Sequence, residues 1–268
     1  MKKIVALLFG LSMSISVYSQ TAEEWFLKGE EAYQEEKYDI AMDYYKKAAD
    51  LGSVEACGVL SFMYYNGAAS TKKNGKVIQR DTDMALLWAK RAGVNNNLDA
   101  DIVLALISYF KGDFSKTIQI LSGWKEALYS EAKIALAISY MMNGNESIRF
   151  LGKQKAEPLL KEVYNKLRND KPNYFYAVCT ILAKIEFEKK WRRTDKVDDY
   201  LSEFGEIGTD DFEYCPLAYY VVGRAQYHNT SIEKTYLETA AKYEYTGSKY
   251  EVLYPFADEI KQEYNKIK

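Results

Sequence analysis

The sequence predicts an all-α chain of about six stacked antiparallel helical hairpins, closed by a C-terminal capping helix. Three observations carry that reading. Apolar residues recur at spacings of three and four almost everywhere, while strand-like alternation is rare. The stretch Ala41-Met42-Asp43-Tyr44-Tyr45-Lys46-Lys47-Ala48-Ala49-Asp50-Leu51-Gly52 sets small residues around an aromatic pair at helical spacing and ends on a glycine placed for a left-handed C-cap. The arrangement returns 44 residues later as Ala85, Trp88, Ala89, Ala92 and Gly93. A helix of this kind cannot bury its apolar face alone, so repetition implies stacking.

Before the first hairpin, residues 1–19 read as a signal peptide. Lys2 and Lys3 precede the apolar run from Ile4 to Leu11, and small residues follow up to Ser19. The run is too short to span a bilayer, and no cysteine stands near the cleavage site to accept a lipid. The expected product is an unanchored periplasmic or secreted chain starting after Ser19 or Gln20, with no membrane span. Loss of the two lysines takes the formal charge from −2 to about −4, which disfavours nucleic acid as a partner.

The first hairpin opens at Thr21, an N-cap residue followed by Glu23 and Glu24, where the helix dipole favours negative charge. Glu35-Glu36-Lys37 forms the polar turn. Trp25, Gly29, Ala41, Tyr45 and Ala48 together resemble the framework of tetratricopeptide repeats, although Lys28 and Ser53 replace the usual leucine and proline. The second hairpin narrows the likeness. Ala56, Leu60, Tyr64, Gly67, Gly75, Val77, Asp81, Ala85, Trp88 and Ala92 follow the order seen in Sel-one-like repeats, with an insertion at 68–74 in the loop between the helices. That resemblance implies a right-handed α-solenoid.

Spacing continues beyond residue 98. Ala100, Leu104, Ala105 and Gly112 are followed 32 residues later by Ala132, Leu136, Ala137 and Gly144. The third hairpin closes through Thr117 to Trp124 and the fourth through Ala156 to Val163. Pro172 breaks the chain before a fifth hairpin, from Tyr174 to Phe204, and Pro216 opens a sixth that ends at Ala241, with Glu233 in a position that packing wants small. The array thus covers residues 20–247. Residues 248–268 read as a capping helix beginning near Pro255, with Phe256, Ile260, Tyr264 and Ile267 on one stripe.

The chain shows no familiar catalytic motif: GxSxG, HExxH, GxxxxGK and GxGxxG are all missing, and His228 is the sole histidine. No cofactor or metal is expected. The adjacent pairs Asp198-Asp199 and Asp210-Asp211 have diverging side chains and read as solvated faces. Cys57, Cys179 and Cys215 read as buried small residues, with a Cys179–Cys215 bridge as the sharper alternative. The run Lys189-Lys190-Trp191-Arg192-Arg193 reads as a positively charged helix end, with a docking patch for an acidic partner as its alternative. Glu23, Glu55, Asp99 and Glu131 form a column of helix-start acids.

Close packing demands small residues where helices meet, and Gly29, Ser61, Ala105, Ala137, Ala183 and Gly223 form such a column. In the family geometry, the first helix of each hairpin lines the concave surface. Aligning on the small column places Tyr33, Tyr65, Tyr109, Met141, Phe187 and Tyr227 at one inner position as the candidate binding residues. Tyr65 and Tyr109 are expected to carry binding, while Tyr45 and Trp88 hold the fold. The resemblance implies a non-enzymatic exported scaffold for a protein or extended peptide. A glycan or cell-wall-fragment binder with a tyrosine-lined groove is the main alternative, and a carboxylate-dependent hydrolase is a third reading.

Overall fold

The computed structural model describes residues 20–69, 77–204, 215–226, 230–245 and 251–268. The expected signal peptide, most of the loop insertion, Asp210, Asp211, Tyr227 and His228 lie outside them. Among the described residues thirteen α-helices follow one another: α1 (Ala22–Gln34), α2 (Tyr38–Asp50), α3 (Val54–Asn66), α4 (Thr82–Ala92), α5 (Leu98–Phe110), α6 (Phe114–Leu121), α7 (Ser130–Met142), α8 (Glu146–Leu167), α9 (Asn173–Lys190), α10 (Asp195–Leu201), α11 (Pro216–Gln226), α12 (Ser231–Ala241) and α13 (Ala257–Ile267). Among the described residues the β pairing is limited to β1 (Ala68–Ala69) and β2 (Val77–Ile78), an antiparallel pair flanking the inserted loop. The insertion therefore falls between α3 and α4.

Eight of the described helix starts have a side-chain cap. Thr21, Ser53, Asp81, Asn97, Asp113, Asn145, Thr194 and Thr230 accept a hydrogen bond from the backbone N–H three residues on. Each such cap typically adds about 1 kcal/mol. At Thr21 the box is complete, because the Glu24 carboxylate also accepts from the Thr21 N–H at 3.1 Å. Gly52 ends α2 at φ +96°, with Ser53 N–H donating to the Ala48 carbonyl and Gly52 N–H to that of Ala49. This is the paired C-terminal hydrogen bonding that a left-handed residue permits.

Helices pack in sequence-adjacent pairs, α1 on α2 through α11 on α12, and these pairs join through α2–α3, α4–α5, α6–α7 and α8–α9. First helices also meet directly, α3 on α5, α5 on α7 and α9 on α11. The small column is buried throughout, with Ser61, Ala105, Ala137 and Ala183 each at 0% exposure and Gly29 and Gly223 buried too. A Cβ on Gly29 would lie 2.5 Å from the Tyr45 ring. Glu233 fits its position because Arg224 pairs with it at 3.1 Å. All three cysteines are buried, and Cys215 donates to Thr180 Oγ1 at 3.6 Å; the Cys179–Cys215 bridge is not formed.

The last helix starts near Pro255, as expected, but the segment before it does more than cover the end of the chain. A 3-10 turn at Glu251–Phe256 contains Pro255, and α13 follows from Ala257. Helix α13 does pack on α12, but the turn packs on both α7 and α9 in the middle of the chain.

A close approach of α8 to α7 generates a test. An added Cβ on Gly152 of α8 would stand 1.8 Å from the Tyr140 carbonyl oxygen of α7, whereas one on Gly123 meets nothing within 4 Å. Gly152→Ala should lower unfolding free energy by about 1 to 3 kcal/mol. Gly123→Ala should stay within about 0.5 kcal/mol of the original in urea titration.

Candidate functional site

Residues 251–260 position the candidate site, because they lie against the first helices of the central hairpins. The fully buried Tyr109 phenol donates to the Val252 carbonyl. Phe256 is 1% exposed, and Lys184 lies above it with Nζ 5.9 Å from its ring centroid. Lys184 pairs with Glu188 and with Glu259 at 2.7 Å, and Lys153 closes on the other Glu188 oxygen at 2.6 Å. Burial works to push the Lys184 ammonium down, but Glu259 and Glu188 outweigh it and hold the group above its ordinary range. Burial likewise opposes the Glu188 carboxylate, and the two lysines outweigh it and hold that group low.

This arrangement corrects the expected open aromatic column. Tyr33 is 39% exposed and sits edge-on to Tyr38, but Tyr65, Tyr109, Met141 and Phe187 are buried, at 6%, 0%, 3% and 3%. Tyr227 is outside the described residues. Helical spacing placed these side chains on a common side, but spacing does not say what covers that side. In the centre of the chain the C-terminal segment does. Tyr109 is therefore a core residue tied to Val252, not a free binding residue.

Two clefts flank the segment. The first, about 220 Å³, is walled by Tyr65, Arg80, Phe110, Glu131, Tyr174 and Glu251. Asp81 N–H donates to the Tyr64 carbonyl at 2.8 Å, holding the start of α4 on the end of α3. Arg80 is thereby set with its guanidinium 4.9 Å from the Tyr65 ring centroid and 3.8 Å from Glu251. Glu131, in the first turn of α7, is reachable by solvent yet surrounded by the cleft walls. That enclosure raises its carboxyl pKa, Arg80 opposes the shift, and Glu251 adds to it.

From this cleft a run of acids and phenols extends toward the N-terminal hairpin. Burial raises the Tyr129 phenol, and Glu131, Tyr65 and Asp99 add to the effect. Burial and then Glu30 raise Asp99, while the Tyr45 hydroxyl donates to Glu30 at 2.6 Å. Asp99 and Glu131 therefore do more than complement helix dipoles, since each senses carboxylates from distant parts of the chain.

The second cleft, about 730 Å³, lies where α8 begins, α9 ends and α13 passes. Met141, from the expected column, and Phe256 line it, and Phe150 and Trp191 stand in its walls at 63% and 68% exposure. Trp191 caps α9 in the left-handed conformation, φ 49° and ψ 34°, uncommon for a bulky residue, and meets Phe187 edge-on at 5.7 Å. Part of the basic run is structural. Lys189 pairs with Glu157 and Glu186, and Arg193 pairs with Asp198.

No family model, curated protein or solved structure matches the chain. Among the described residues, no group of three or more His, Cys, Asp or Glu side chains is placed to hold a metal ion, and no helix is long and apolar enough to cross a membrane. Sequence reasoning missed Arg80 and Glu251, which belong to no periodic pattern. It also passed over Arg149 and Phe150. Their signal was present, since Ile148, Phe150 and Leu151 lie off the stripe that α8 buries through Gly152, Ala156, Leu160 and Val163.

Two variants test these electrostatics. Lys184→Ala leaves two carboxylates without their shared cation and should cost about 3 kcal/mol of stability in chemical denaturation. For Glu131 the sign runs the other way from a salt-bridged acid. A raised folded-state pKa means that the native chain binds the proton more tightly, so this contribution is fullest in acid and declines as pH rises from the ordinary value through the raised one. Glu131→Gln should therefore melt higher than the original at about pH 7, with the gap closing toward about pH 4.

Proposed function

We propose that the chain is a non-catalytic scaffold, a Sel-one-like helical-repeat array of about six right-handed hairpin units, that is exported and binds a protein or an extended peptide. The hairpin order, the buried small column and the motif residues through Ala92 support the family reading. The observation that carries the binding reading is the first cleft, in which a cation, two carboxylates and aromatic walls converge from α3, the α4 entry, α7 and the C-terminal segment. At about 220 Å³ it is smaller than the roughly 300 to 1,000 Å³ of small-molecule pockets, a size suited to one anchoring side chain of a larger partner.

The glycan alternative draws less support from the tyrosines it invoked. Sugar stacking needs an open ring face, whereas Arg80 covers Tyr65 and Tyr109 is fully buried. Hydrolysis has one observation in its favour, the presence of Glu131 and Glu251 in the same cleft with Glu131 raised. The two readings part on Glu131→Gln, which should abolish turnover but spare capture if the chain is a hydrolase.

A photo-crosslinking side chain at Asn66, an exposed residue of the first cleft, tests the proposal in the cell of origin. A discrete protein adduct is expected there and should disappear when Arg80→Glu is added. No adduct, or the same adducts from a probe at exposed Thr235 on α12, overturns it. Mass spectrometry of the native chain should show a start at Gln20 or Thr21, and a retained Met1 or an attached lipid sinks the export proposal.

A further inference from the structure

We infer that the second cleft is a docking site for an acidic protein segment that inserts apolar side chains between Phe150 and Trp191. The inference rests on the protein-binding reading but uses a surface separate from the first cleft. Helix α8 buries one stripe and turns Ile148, Phe150 and Leu151 outward at 50%, 63% and 56% exposure. Of these, Phe150 lines the cleft of about 730 Å³ together with Trp191, 68% exposed, and exposed apolar surface of this kind marks interaction sites. Its floor, Met141 and Phe256, is already buried and packed.

Charge selects the partner. Within the cleft, Lys153 and Lys184 are matched by Glu188 and Glu259, so that network is internally neutral. Arg149 makes no ion pair among the described residues, nor do Lys190 and Arg192, the exposed residues flanking Trp191. Against these three cations stands Glu146 in the first turn of α8, where the helix dipole already compensates a carboxylate. The rim is therefore positive around an apolar centre. Trp and Arg are among the side chains most often dominant at interfaces, and the half-buried Met142 in the lining fits apolar side chains better than it fits phosphates.

A display library of random dodecapeptides panned on the mature chain, with counter-selection on the Arg149→Glu/Trp191→Ala double variant, tests the assignment. Enriched peptides should combine Asp or Glu with Leu, Ile, Phe or Trp. By fluorescence anisotropy, a resynthesised peptide should bind about tenfold or more weakly to each single variant, and more weakly as salt rises, while both variants keep the original melting temperature. Enrichment of Lys- or Arg-rich sequences, no enrichment over the double variant, or displacement of the peptide by a thymidine oligonucleotide at equal concentration overturns the inference. So does Phe150-dependent self-association in sedimentation. Arg80→Glu separates the two clefts: it should spare these peptides even if crosslinking at Asn66 fails, and loss of both signals from the original chain defeats the protein-binding reading itself.

Discussion

Lys184 keeps a full positive charge inside the protein, and the surrounding structure has to answer it. An ammonium at 2% exposure survives only if carboxylates come to it, because the cost of leaving it unpaired exceeds that of assembling its partners. Those partners come from far apart in sequence. Glu188 is one turn along α9, Lys153 of α8 balances the second Glu188 oxygen, and Glu259 arrives on α13. Tyr220 of α11 joins through its hydroxyl, which donates to Glu259 at 3.3 Å. One buried charge thus ties four helices together and fixes where the C-terminal segment lies.

Packing makes that closure geometrically available. Glycine, serine and alanine at the contact positions let the helices approach until Tyr45 touches Gly29 and the Tyr140 carbonyl touches Gly152. Side chains as large as tyrosine then fill what the small residues leave open. The central first helices also meet one another, and Val252, Leu253 and Phe256 are buried where their turn packs on α7 and α9. The hydrophobic gain and the Lys184–Glu259 pair act in the same direction.

The two clefts are consequences of that placement. A segment of ten residues cannot cover the whole inner side, so open space is left at each of its ends. At one end Glu251 brings a carboxylate beside Arg80 and Glu131, and at the other Phe256 and Glu259 form the floor beneath Phe150 and Trp191. Their chemistry differs for a simple reason. The first end faces Glu131 of α7 and the phenols of Tyr65 and Tyr174, whereas the second faces the basic end of α9.

Much of the fold was legible in the chain because helices are local objects. Caps such as Thr21, Ser53 and Asp81, breaks at Gly52, Gly112 and Pro172, and the small column from Gly29 to Gly223 act within a few residues or recur once per hairpin, and the helices begin and end accordingly. The same spacing put Tyr65, Tyr109, Met141 and Phe187 on one side of their helices. What covers that side depends on residues far away in sequence, such as Val252, 143 positions from Tyr109, and Glu259, 75 positions from Lys184. Periodicity carries no record of such pairings. By itself the sequence determined the hairpins and the side of each helix that turns inward, and only the tertiary structure decided that this side is filled at its centre and open at two clefts, because burial and charge pairing are settled between distant segments.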